Sequence, residues 1–135
     1  MTRGKRMIAG IGLDIVETAR MEKLLNSAIR DRFAERVLTL KERERFFALP
    51  ARRALEFIAG RFAAKEAVTK AIGCGIGGLV GFQDIEIMPD GSGKPVCRLS
   101  DAALDRLGWQ GTGCSFHVAI THEKSMAAAT AVIER

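Results

Sequence analysis

From Leu55 to Ile72 the apolar residues Leu55, Phe57, Ile58, Phe62, Ala63, Ala64, Ala67, Val68, Ala71 and Ile72 point in nearly every direction around a helical wheel. That pattern predicts a long helix, from about Ala51 to Ile72, buried over most of its circumference. Pro50 precedes it, and Gly73 suits the position where a helix ends in a left-handed residue. Gly60 inside it costs about 1 kcal/mol relative to alanine, so a packing reason is expected there. Glu66 and Lys70 interrupt the apolar pattern. At about 100° per residue they lie about 40° apart, on one face with the small residues Ala59 and Ala63. One reading is an i,i+4 ion pair on the helix rim, worth about 0.2–0.5 kcal/mol. The other is a bound ion or ligand, because a buried charge is costly unless it is paired.

The remaining elements follow in order. Met7–Leu13 is a short apolar strand with two glycines, marking a close approach of another backbone or a ligand, and it ends at Asp14. Thr18 is a candidate N-cap for a helix reaching Ile29, with Met21, Leu24, Leu25 and Ala28 as its inward stripe. Thr39 and Glu42 make a capping box for a helix whose apolar side is Phe46, Phe47 and Leu49, ended by Pro50. The glycine-rich stretch 73–81 is a loop. It follows a helix, whereas dinucleotide and P-loop fingerprints need a strand before and a helix after. Residues 84–88 alternate as a strand, 89–95 are dense in turn residues, and 96–99 is the return strand. Ser100 caps a short helix to Leu107, closed by Gly108. Residues 115–121 and 126–133 form a terminal hairpin. The expected fold class is α+β: a single small domain, 1–135, with an antiparallel sheet packed on the long buried helix.

Composition narrows the function classes. A chain of 135 residues with 47% hydrophobic and 27% charged residues can bury a core without staples. No apolar run approaches a membrane span, and the basic start Met1–Met7 is followed by too short an apolar stretch for a signal peptide, so a cytoplasmic location is expected. Cys74, Cys97 and Cys114 match no zinc or redox spacing and are expected as free thiols. The net charge of +5 is concentrated: residues 20–53 hold ten basic and five acidic residues, a region that would attract a polyanion or an acidic protein. A nucleic-acid-binding domain would explain the charge, but the chain has no Tyr, a single Trp and no binding motif. A non-catalytic oligomerisation domain would explain the apolar strands but leaves the acids unexplained.

Those acids are the candidate chemistry. Asp14 at a strand end and Glu66 on the buried helix could share Mg²⁺, an ion that takes one or two carboxylates, keeps waters and completes its shell with substrate phosphate oxygens. Lys70 could neutralise a second phosphate.

Four blocks in one order, Gly10–Arg20, Arg61–Gly73, Gly93–Pro95 and Phe116–Glu123, resemble holo-acyl-carrier-protein synthase, the short form of the 4′-phosphopantetheinyl transferases. The resemblance runs from about residue 7 to 134. It implies transfer of 4′-phosphopantetheine from coenzyme A to a serine of apo acyl carrier protein, releasing adenosine 3′,5′-bisphosphate, in support of fatty acid biosynthesis. It implies Asp14 and Glu66 as Mg²⁺ ligands, Lys70 as the lysine facing the pyrophosphate, and Arg20 as a carrier-protein docking residue. His122, Arg61, Lys94 and Pro95 become expected substrate contacts, and the assembly a homotrimer with its sites between subunits. Ala119 departs from the family, where many members have Ser, and His117 is expected to be structural. Transfer of this kind depends on positioning and charge neutralisation. Either a carboxylate or a metal-bound water would take the serine proton.

Overall fold

The computed structural model describes residues 5–135; the basic stretch at residues 1–4, part of the signal-peptide argument, lies outside them. Strand β1 (Ile8–Glu17) leads into helix α1 (Thr18–Leu25), followed by α2 (Arg30–Val37), α3 (Leu40–Ala48) and the long α4 (Ala51–Ile72). A short 3₁₀ turn, Phe82–Asp84, precedes the hairpin β2 (Ile85–Pro89) and β3 (Pro95–Leu99). Helix α5 (Asp101–Leu107) and the hairpin β4 (Ser115–His122) and β5 (Met126–Glu134) complete the chain. The strands form two antiparallel sheets, β1-β5-β4 and β2-β3.

The larger sheet lies on α4, and small residues on both sides set how closely. Ala127, Ala129 and Ala131 of β5 face inward, and Ala63, Ala64, Ala67 and Ala71 of α4 meet the sheet in the same core. Gly10 and Gly12 bring β1 closest: a Cβ at either would sit 1.9 Å from the carbonyl oxygen of Ala71 or Ala67. Gly60 lies under β4, where a Cβ would come within 2.9 Å of the Ile120 methyl, which supplies the packing reason expected at that position. A second core of Ala34, Val37, Leu38, Phe46, Ala54, Phe57 and Ile58 joins α2 and α3 to the first half of α4.

The Thr39–Glu42 capping box, the Ser100 cap and the left-handed Gly73 and Gly108 stand as read from the sequence. Four local expectations do not. Strand β1 continues through Asp14 to Glu17, because Asp14 pairs with Ala129 and the ladder persists to Met126. Glu17, not Thr18, occupies the N-cap of α1, and Thr18 is buried with its N–H donated to the Ser125 carbonyl. The first helix ends at Leu25, where the Asn26 and Ser27 N–H groups bond back to Glu22 and Leu24, and Ala28 is exposed. Phe47 is exposed, so only Phe46 anchors α3 in the core, with Leu49 packed against it. Helix α2 has no counterpart in the hydrophobic pattern read from the sequence.

Candidate active site

Two groups of polar side chains lie along α4. The first gathers where β1 crosses the helix. Leu13 and Ile15 point outward, so Asp14 between them turns toward α4, its side chain mostly buried. Lys70 Nζ donates to Asp14 Oδ1 at 3.0 Å and to the Leu13 carbonyl at 3.1 Å. The i,i+4 pair between Glu66 and Lys70 therefore does not form: the lysine reaches across to the strand, and the Glu66 carboxylate makes no ion pair among the described residues. Burial first, and the nearby negative charge of Asp14 second, push the Glu66 carboxyl above its usual range, with Lys70 acting in the opposite sense. Two carboxylates close enough for the charge of one to raise the pKa of the other are an arrangement that could take a hard cation between them. No group of three or more metal-ligating side chains occurs among the described residues. A cation here would therefore take the two carboxylates and complete its shell with water and ligand oxygens, a coordination that suits Mg²⁺.

The second group lines a cavity of about 290 Å³ formed by Arg45, Arg53, Glu56, Phe57, Arg61, Gly93, Pro95 and His122, with Leu49 and Ile120. Arg61 stands with its guanidinium 4.2 Å over the Phe57 ring and its Nε on the Ile87 carbonyl at 3.1 Å. Burial lowers its pKa to about 10, against the raising influence of Glu42, so it stays charged at neutral pH. His122, the last residue of β4, places Nδ1 3.3 Å from Glu56 Oε2. Three arginines around one opening give the cavity a positive charge that suits a phosphate group.

The structure thus brings Asp14, Glu66 and Lys70 together, and Arg61, Pro95 and His122 together. Glu56 and Glu66 are ten residues apart on α4, which is about 15 Å at 1.5 Å per residue. Lys94 is exposed on the β2-β3 turn beside the cavity's Gly93 and Pro95, and Arg20 is exposed on α1. His117 bonds Glu134 at 2.6 Å on the outer face of the sheet. Arg45 and Arg53 were legible only as part of the basic stretch, since nothing in their spacing singles them out.

A buried pair escaped the sequence reading altogether. Lys65 and Glu42 have fully buried side chains and meet at 2.6 Å. Lys65 Nζ also donates to the Val37 and Phe82 carbonyls, at 2.7 and 3.0 Å. Burial pulls the Lys65 pKa down while Glu42 holds it up. The available signal was a lysine embedded in the apolar run Phe62–Val68, a position that demands a partner.

A carboxylate pair and an arginine-lined pocket thus lie along the same helix, α4. The sequence profile of the 4′-phosphopantetheinyl transferase superfamily matches residues 10–130, and the chain belongs to that superfamily. It is 49% identical over 132 residues to the holo-[acyl-carrier-protein] synthase of Bacillus subtilis (strain 168), covering 96% of this chain and 98% of that protein. The fold is similar to the holo-(acyl-carrier-protein) synthase of Bacillus anthracis str. Ames, solved in complex with CoA (3′,5′-ADP). That match has 45% identity and a TM-score of 0.80, over 95% of this chain and 97% of the other. It is also similar to holo-[acyl-carrier-protein] synthase (AcpS) from Neisseria meningitidis, at 36% identity and a TM-score of 0.84, over 96% and 100% of the two chains.

Proposed function

We propose that this chain transfers 4′-phosphopantetheine from coenzyme A to a serine hydroxyl of apo acyl carrier protein, as one transferase domain supporting fatty acid biosynthesis. The observation that carries the reading is the Asp14–Glu66–Lys70 group on the same helix as the arginine-lined cavity, in a chain this similar to holo-acyl-carrier-protein synthases. Asp14 and Glu66 would hold Mg²⁺, and the ion would supply charge neutralisation at the pyrophosphate. Lys70, tethered by Asp14 and the Leu13 carbonyl, presents its positive charge to the same pyrophosphate. Arg61 with Arg45 and Arg53, Pro95, His122 and the adjoining Lys94 hold the nucleotide end of coenzyme A. A carboxylate of the Asp14–Glu66 pair or a metal-bound water would take the serine proton. Incubation with apo carrier protein, coenzyme A and Mg²⁺ should give a carrier heavier by one phosphopantetheine. An unchanged carrier mass at saturating substrates would sink the reading.

The carrier docks on the basic region of residues 20–53, with Arg20 exposed at the start of α1. Arg20→Glu should raise KM for the carrier about tenfold and leave coenzyme A binding within about twofold, and added salt should mimic it because exposed charges are screened over about 8 Å. An equal loss for both substrates would make Arg20 a folding or site residue.

The proposed assembly is a homotrimer. Its support is the outer face of the larger sheet, where Ile11, Leu13 and Ile15 stand 68%, 54% and 58% exposed beside the outward Met126. An apolar face of that kind on a small domain calls for a cover. Sites shared between subunits would pair the Glu66 group of one chain with the His122 group of its neighbour. Co-refolded Glu66→Gln and His122→Ala chains should then regain transfer that neither has alone, at interfaces that combine the two wild-type residues. A monomer in sedimentation, or mixed assemblies as inactive as both parents, would return the site to a single chain. A cytoplasmic location accompanies this reading, consistent with three free thiols.

A further inference from the structure

We propose that the buried Glu42–Lys65 pair is the positioning element for Arg61, and so sets the geometry of the arginine-lined cavity. The link runs through one peptide unit. Strand β2 has β3 on one side only, and Ile87 stands opposite Cys97. The N–H and C=O of a strand residue point to the same edge. For Ile87 that edge is met by side chains in place of a strand: its N–H donates to Glu42 Oε2 at 2.7 Å, and its carbonyl accepts from Arg61 Nε at 3.1 Å. Glu42 and Arg61 therefore grip the same residue from the positions that a neighbouring strand would fill.

Glu42 is itself held from every side. Its Oε1 accepts from the Thr39 N–H at 2.8 Å and from Lys65 Nζ at 2.6 Å. All three N–H groups of Lys65 are used, on Glu42, Val37 and Phe82, so the ammonium has no freedom to follow another partner. With Nε fixed on Ile87 and the guanidinium plane over Phe57, the outer nitrogens of Arg61 are the ones left to face the cavity. Displacing Glu42 would free the Ile87 peptide and with it the anchor of Arg61. Bidentate recognition of a phosphate tolerates little such movement.

The inference rests on the proposed contact between Arg61 and coenzyme A, and a mutant cycle separates the two. Kinetics with coenzyme A as the varied substrate are measured for wild type, Arg61→Met, the charge-neutral pair Glu42→Met/Lys65→Met, which removes the acceptor of the Ile87 N–H, and all three changes combined. Arg61→Met should raise KM for coenzyme A about tenfold, the paired change by a similar factor, and the triple variant no more than about twofold beyond Arg61→Met alone. An unchanged KM in Arg61→Met overturns the substrate contact, and the positioning role with it. A raised KM in Arg61→Met whose factor multiplies with that of the pair overturns only the positioning role, because a purely structural defect adds independently. If the paired variant does not fold, Glu42→Asp takes its place. It keeps a charge for Lys65 but withdraws the oxygen from Ile87, and the same comparison with Arg61→Met decides.

Discussion

Glu66→Gln should reduce phosphopantetheine transfer by at least about a hundredfold and leave the fold intact. The substitution keeps the volume of a half-buried side chain whose carboxylate has no ion-pair partner among the described residues, so little native structure is lost with the charge. Its effect on stability has a definite sign. Burial and the charge of Asp14 hold the Glu66 carboxyl above the 4.5 of a free glutamate. In the window above pH 4.5 the folded protein therefore keeps a proton that the unfolded chain has released, and stability declines as pH rises through it. Glutamine removes that decline, so the variant's Tm at neutral pH should equal or exceed that of the wild type. Mg²⁺ should raise the wild-type Tm and leave the variant's unmoved, since an ion that binds only the folded site stabilises it by mass action. A Mg²⁺-dependent rise of equal size in both proteins, or normal turnover of the variant at limiting Mg²⁺, would remove Glu66 from the metal site.

Gly12→Ala is expected, with Gly10→Ala, to be among the most damaging single-methyl additions at the described glycines. The added Cβ would lie 1.9 Å from the Ala67 carbonyl oxygen and 2.9 Å from the Ala71 nitrogen, both backbone atoms of α4. No rotamer change can relieve that contact, so β1 must lift from the helix along a face that is otherwise packed with alanine. A loss of about 3–5 kcal/mol is expected, visible as insolubility or as a Tm lower by more than about 10 °C. Because β1 also carries Asp14 to Lys70, any protein that does fold should have lost the Mg²⁺-dependent rise in Tm. Gly77→Ala, in a loop position with nothing within 4 Å of the new Cβ, is the control. Comparable damage from both substitutions would show that the helix contact is not the reason.

Long-range consequences of short patterns were legible. The apolar wheel of residues 55–72 located the helix that both cores share, with its bounds at Ala51 and Ile72, because a helix buried on most sides leaves a pattern that solvent cannot interrupt. The glycines of β1 announced a close approach before the partner was visible. Short helices were harder. Residues 26–29 turn where periodicity alone continued the first helix, and α2 went unassigned because only Ala34 and Val37 of its eight residues are fully buried.

By itself the sequence determined the α+β class, the central helix, the Thr39 and Ser100 caps and the terminal hairpin, and it singled out Asp14, Glu66 and Lys70 as the acids and base worth pairing. These are local matters of period, turn chemistry and charge on one helix face. Which charge meets which was decided only by tertiary structure. Lys70 could reach Glu66 along its own helix, yet β1 delivers Asp14 and the Leu13 carbonyl to it from 56 and 57 residues away in the chain. Lys65 finds Glu42 at a separation of 23 residues, and Arg61 finds the Ile87 carbonyl at 26. Helical spacing ranks neighbours on one element, whereas burial forces each charge to whatever partner the packing of other elements presents, and that packing is settled by the whole chain at once.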